Sequence, residues 1–242
     1  MKESYGSFAF DLYGTLVDIL TDEVSDAVWE KMALFLRLKG ADAQAELLRD
    51  GYFARCAALE GKGAGKGIPG PVEADIMEVW RGLFDALNLR FSVREAEDAA
   101  LWFRTLAIRR LRLFPGAKET LFALKEHGKR IALLSNAQAV WTRPELKALG
   151  LEGLFDAVFL SSEAGVRKPS PAFFARLFDA GFDPADTVMV GNDPICDAKG
   201  AQDCGMASLL IRTPQSPKGR YSLPKDCVRI RMLQDALRWA GA

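Results

Sequence analysis

Residues 6–18 read Gly-Ser-Phe-Ala-Phe-Asp-Leu-Tyr-Gly-Thr-Leu-Val-Asp, GSFAFDLYGTLVD. A short apolar run stops abruptly at Asp11, Leu12, Tyr13, Gly14 and Thr15, which is the pattern of a buried strand feeding a turn. Similar runs follow at Arg130–Leu134, Ala157–Leu160, Thr187–Val190 and Ala207–Ile211. Between them lie helical patterns at about 116–127, 143–149, 171–180 and 194–204. Strands that are apolar throughout, alternating with helices through short loops, imply a doubly wound parallel sheet covered by helices on both faces. The expected class is α/β.

The stretch at about 20–107 does not belong to that sheet. Residues 22–57 look helical, with Trp29, Met32, Ala33 and Leu36, then Ala45, Leu48 and Phe53, on an apolar stripe. Helical patterns return over roughly 72–87 and 93–110, the latter after Ser92 with Glu95 three residues on, a capping box. Between them, residues 61–70 hold five glycines, too many for a helix. Lys62 and Lys66 in this segment are candidates to reach an anionic substrate as a lid closes, against the plainer reading of a connection between helices. The chain therefore divides into an α/β core, 1–19 and 108–242, and an inserted helical cap, 20–107.

Composition narrows the function. The 242 residues carry 32 Lys+Arg and 32 Asp+Glu, with 49% hydrophobic residues. A chain of zero formal charge lacks the basic surplus of a nucleic-acid binder. No apolar run reaches the ~18 residues of a membrane span, and the first residues do not resemble a secretory signal. A cytoplasmic protein is expected. Cys56, Cys196, Cys204 and Cys227 form no CxxC pair, so reduced thiols are the simple account. The one histidine, His127, cannot build a three-His metal site, and beside Gly128 it reads as a favourable charge at a helix C-terminus.

Ligands of open parallel sheets bind beyond the carboxyl ends of the strands. Four strands here end in polar residues: Asp11; Ser135; Ser161 and Ser162; Asn192 and Asp193. Lys168 follows the third of them. Neighbouring strands would bring these groups to one point. A carboxylate is a ready covalent nucleophile at neutral pH. Attack on an anionic phosphate requires that its charge be offset by an ammonium, by backbone N–H groups and by Mg²⁺. Asp11, the Tyr13 carbonyl and Asp193 suit Mg²⁺, which takes a few protein oxygens beside water and phosphate.

Four ordered segments, FDLYGTLVD (10–18), LLSNA (133–137), RKPSPAFF (167–174) and VGNDPICDAKGA (190–201), resemble the motifs of the haloacid dehalogenase (HAD) superfamily. The helical insert stands where that superfamily carries a C1 cap. The resemblance implies a Rossmann-like core and a hydrolase. It makes Asp11 the nucleophile, with Thr15 fixing its loop and Ser135-Asn136 at the transferring group. Lys168 would neutralise the nucleophile, Asp193 would hold Mg²⁺ with Asn192 beside it, and Asp197 would stand behind them. It implies a small phosphorylated substrate.

The sequence departs from the family's phosphatases at one position. Their first motif is Asp-x-Asp, and the second Asp is the acid and base. Here that residue is Tyr13, and a phenol titrates near ~10, a poor base at pH 7. Asp-x-Tyr-Gly-Thr is the pattern of 2-haloacid dehalogenases. Asn192-Asp193 is instead phosphatase-like, Phe174 stands where dehalogenases carry Tyr, and their cap arginine is not identifiable. The expectation is a Mg²⁺-dependent phosphohydrolase, with a dehalogenase or a weakly catalytic binding protein as alternatives.

Overall fold

The computed structural model describes residues 2–62 and 73–241, with side chains described outside 60–62. The first apolar run is strand β1, Ser7–Phe10, buried along its whole length. The chain then turns into β2, Val17–Thr21. Four helices follow: α1 Asp26–Leu38, α2 Ala45–Lys62, α3 Ile76–Ala86 and α4 Val93–Ala107. Strand β3, Ile108–Leu113, returns antiparallel to β2, with Val17 opposite Leu113. The remainder alternates: α5 Ala117–Glu126, β4 Arg130–Ser135, α6 Ala139–Ala148, β5 Ala157–Leu160, α7 Ser161–Ala164 and α8 Pro171–Asp179. It continues with β6 Thr187–Gly191, a π-helix Pro194–Lys199, α9 Gly200–Asp203, β7 Ala207–Ile211, β8 Cys227–Ile230 and a 3₁₀ helix Leu233–Trp239.

Six strands form one parallel sheet in the order β5-β4-β1-β6-β7-β8. Side-chain alternation assigns its two faces. Phe8 and Phe10 of β1 join Leu121 and Leu124 of α5 in one apolar cluster. Ala9, between them, faces Phe173, Phe174 and Leu177 of α8 in another. Phe174 is thus a core residue. With β4 and β6 hydrogen-bonded on either side of β1, three strand ends meet: Phe10 lies level with Leu133 and with Val190.

The first helical expectation, over 22–57, is corrected: the chain breaks at residues 39–44 between α1 and α2, where Gly40 adopts φ of +94°. Glycine takes the left-handed conformation that ends a right-handed helix without a Cβ penalty. The β2–β3 ribbon was not anticipated. Its strands alternate charge with apolar residues (Asp18, Arg110, Arg112 against Ile19, Leu111, Leu113), and Asp18 pairs with Arg110 and Arg112 at 2.8 and 3.0 Å. The ribbon runs across the expected boundary at 19/20. Ser92 and Glu95 form the expected capping box at the start of α4. His127 is the C-cap of α5. All four cysteines are free thiols. Lys66 lies outside the described residues, as does the side chain of Lys62. Among the described residues no helix is long and apolar enough to cross a membrane.

The helical insert has its own core. Trp29 is fully buried, with its ring 4.9 Å from Phe103, 5.3 Å from Tyr52 and 6.4 Å from Trp80. Its indole N–H donates to the Glu23 carbonyl at 2.8 Å. Truncation would leave a cavity among aromatic neighbours that cannot close in. Trp29→Ala is expected to cost about 3–5 kcal/mol, read as a lowered midpoint in urea. A loss below 1 kcal/mol would mean that the insert does not unfold with the rest.

Candidate active site

Asp11 follows β1 directly, and its backbone N–H donates to the Val190 carbonyl of β6 at 2.9 Å. That bond carries the ladder one residue beyond the strand and sets the side chain at the sheet's carboxyl edge. Asp11 is only 7% exposed. Its Oδ1 accepts from Lys168 Nζ at 2.9 Å and from Ser135 Oγ at 3.2 Å, and its Oδ2 accepts from Thr15 Oγ1 at 3.0 Å. Asp11, Thr15, Ser135 and Lys168, expected together from the sequence, are therefore in contact.

Lys168 is almost wholly buried, and its ammonium also donates to Asp197 Oδ1 at 2.7 Å. Burial opposes that charge, but the fields of Asp11 and Asp197 outweigh it and hold the lysine above its ordinary pKa. Two carboxylates share one ammonium. Asp197 is buried and faces the charge of Asp11, so its carboxyl is pushed up to about 6, although Lys168 works against the shift. Its other oxygen accepts from the N–H groups of Asn192 and Asp193 at 3.0 and 2.9 Å. Asp197 thereby binds the loop after β6 to the lysine. Glycine at 191 is required, since a Cβ there would run into the Asp197 carboxylate.

Asn136 has a different place from the one expected. Its amide clamps the main chain of Lys168: Nδ2 donates to the Lys168 carbonyl at 3.1 Å, and Oδ1 accepts from the Lys168 N–H at 2.7 Å. Ser161 and Ser162 also lie behind the site. Their hydroxyls accept from the N–H groups of Ala137 and Ala139 at 2.8 and 2.9 Å and shape the loop after β4.

Asn192 is buried against the first turn. Gly14 has φ of +85°, and a Cβ there would collide with the Asn192 amide. Thr15 Oγ1 lies 3.4 Å from Asn192 Oδ1. Asp193 caps the π-helix, with Oδ1 accepting from Ile195 and Cys196 at 2.7 and 2.9 Å. The ends of β1 and β6 thus present the carboxylates of Asp11 and Asp193 and the amide of Asn192. These are hard oxygen donors, suited to Mg²⁺ with water and substrate oxygens completing its shell. Among the described residues no three His, Cys, Asp or Glu side chains form a ready-made metal cage.

Tyr13 points elsewhere. Its hydroxyl donates to Glu145 Oε2 at 2.5 Å and lies 3.0 Å from Thr142 Oγ1, both on α6. Burial, then the charge of Glu145, push the phenol well above its ordinary pKa. It stays protonated and is occupied as a donor. The side chain of Tyr13, expected at the site in place of an acid, ties the first motif to α6.

Two residues of this network were missed in the sequence. Arg104 of α4 donates to Glu145 Oε1 at 2.7 Å, lies 3.5 Å from Glu23, and sets its guanidinium 4.9 Å from the Trp141 ring. Burial opposes its charge, and Glu145 more than offsets that, raising the arginine's pKa. The available signal was a charged residue within the apolar stripe Ala96, Ala100, Phe103, Ala107 of α4. Trp141 and Gln138 dock the same end of α6 on the insert. The indole N–H of Trp141 donates to the Ala100 carbonyl at 3.0 Å, and Gln138 accepts from Ile76 N–H at 2.9 Å. Arg104→Ala would strand Glu145 in a buried place and is expected to cost about 3–5 kcal/mol in urea unfolding. Adding Glu145→Gln should recover part of it, and additive losses would show that the two residues act separately.

The model of the haloacid dehalogenase-like hydrolase family matches residues 5–205. The phosphoserine phosphatase of Thermus thermophilus is 29% identical, over 94% of this chain and 98% of its own length. The glyceraldehyde 3-phosphate phosphatase of Methanothermobacter thermautotrophicus is 32% identical over 52% of this chain, which is 56% of its own length. A 2-haloacid dehalogenase of Pseudomonas syringae pv. Tomato superposes with a TM-score of 0.67 at 23% identity, over 98% of this chain and 97% of that one, a likeness of fold. With a family match across most of the core, and the motif residues gathered at the strand ends, the chain belongs to the haloacid dehalogenase-like hydrolases.

Proposed function

We propose that this hydrolase cleaves a small phosphate monoester through a covalent intermediate on Asp11. The observation that carries the reading is the Asp11 carboxylate, set beside a buried ammonium and held by Ser135 and Thr15 at the sheet's carboxyl edge. Phosphatase relatives support the substrate class. An Asp11 oxygen attacks phosphorus, the bond to the leaving oxygen breaks, and the alcohol takes its proton from water. Water then attacks the aspartyl phosphate, releasing inorganic phosphate and restoring Asp11.

Lys168 and Ser135 stabilise the charge that builds on the phosphoryl oxygens as they release Asp11. Asn136 acts through Lys168 by fixing its main chain. Asp193, with Asn192 and the Tyr13 carbonyl, would hold Mg²⁺ together with Asp11. When bound, the ion would offset the charge of the phosphate beside the carboxylates that hold it. Asp197 keeps Lys168 aimed and the loop of Asp193 in place. With Tyr13 held by Glu145, no carboxylate of the first motif activates the second water, so breakdown of the intermediate should be the slow step.

The slow second step makes the intermediate observable. Acid quenching of the Mg²⁺-loaded enzyme with an aryl phosphate should trap phosphate on Asp11, detected by peptide mass. Asp11→Asn should abolish both trapping and turnover, and chelation should suppress them reversibly. The same Asp-x-Tyr-Gly-Thr turn favours carbon chemistry as a second reading. Halide release from a 2-haloacid in chelator, without phosphoenzyme, would replace the phosphatase reading by that one.

A further inference from the structure

A cavity of about 640 Å³ opens beyond the carboxyl ends of β6, β7 and β8. It shares Asn192 and Pro194 with the loop of the candidate active site, and none of its lining residues belongs to α6 or the helical insert. Its charge is unlike the rest of the chain. Residues 212–231 carry six Lys and Arg against one Asp, in a protein of zero net charge. Arg212, Arg220, Arg229 and Arg231 line the cavity, and among the described residues no Asp or Glu does. All four are exposed, so they meet the solvent within one concave wall.

The wall is built as a site. Thr213 Oγ1 donates to the Gly14 carbonyl at 2.7 Å, and Gln215 donates to the Ile19 carbonyl and to Asp18. The start of the loop is thereby fixed to the first motif. Tyr221 donates to the Lys218 carbonyl at 3.1 Å and packs on Gly219, where a Cβ would lie 3.2 Å from its ring. Tyr221 and Leu223 add apolar surface to the lining beside the arginines. Guanidinium groups bind phosphate through paired N–H donors, and four of them exceed what one phosphate requires. The volume lies in the range of drug-sized ligands.

We propose that this cavity is a second ligand site, distinct from the Asp11 centre, that binds a nucleoside polyphosphate. The arginines take the phosphates and Tyr221 takes the base. Through Asn192 and Pro194 the bound molecule touches the loop that carries Asp193, so occupancy reaches the candidate metal position. The site does not depend on which bond the enzyme hydrolyses.

Calorimetric titration with ATP in chelator tests this without any turnover. Wild type should bind one equivalent. Arg220→Gln with Arg229→Gln should weaken binding by about tenfold or more, as expected when charge-assisted contacts are removed. Both side chains are exposed, so the pair should fold, and an unchanged melting curve would establish that. Lys168→Met should leave ATP binding as in wild type. Adenosine should not bind, and tripolyphosphate should bind more weakly than ATP. Absence of binding at millimolar ATP would overturn the proposal. So would binding lost in Lys168→Met and kept in the arginine pair, which would place the nucleotide at Asp11. Tripolyphosphate as tight as ATP would overturn the role of Tyr221.

Discussion

The ammonium of Lys168 lies between the carboxylates of Asp11 and Asp197, at a depth that water scarcely reaches. Any one of the three charges would be unfavourable there alone, because burial penalises an ion that is not paired and hydrogen-bonded. Together they carry one negative charge more than they neutralise. Burial first, and then the charge of Asp11, raise the carboxyl of Asp197, while Lys168 works against both. The surrounding groups then have defined tasks. Asn136 fixes the lysine's main chain, the N–H groups of Asn192 and Asp193 hold Asp197, and Ser135 and Thr15 hold Asp11.

The parallel sheet makes this triad possible. Asp11, Ser135 and the Asn192 loop stand at the ends of three adjacent strands whose register is set by two ladders. A slip of β1 by one residue would exchange the Phe8/Phe10 face with the Ala9 face and turn Asp11 away from its partners. Core packing and site geometry are therefore specified by the same pairing. Large side chains on one face and alanine on the other decide both.

Much of this could be read from the residues alone, for a physical reason. Buried parallel strands are unbroken apolar runs, and their polar ends are conspicuous. The motif groups at Asp11, Ser135, Lys168 and Asn192 stood out in that way. What escaped reading depended on partners far away in the chain. Asn136 is an ordinary polar residue until its bonds to Lys168 are seen. Tyr13 was legible only as a departure from Asp-x-Asp; that its hydroxyl donates to Glu145, 132 residues later, was not. Arg104 and Glu145 lie in helices whose periodicity says only that something is buried. The β2–β3 ribbon combined charged and apolar residues too evenly to announce a strand.

That ribbon has a topological consequence. The insert leaves the core through β2 and returns through β3, and the two are hydrogen-bonded side by side from Val17/Leu113 outward. The core therefore sees the excursion as a closed hairpin, whatever its length. Loop-closure entropy grows only with the logarithm of chain length, and here the closure is made at the base by backbone bonds and by Asp18 with two arginines. Changing the insert's length therefore costs the sheet little closure entropy, while the bonds from Arg104 to Glu145 and from Trp141 to Ala100 still tie the insert to α6. Sequence changes in the insert away from those bonds thus leave the strand ladders that position Asp11 untouched.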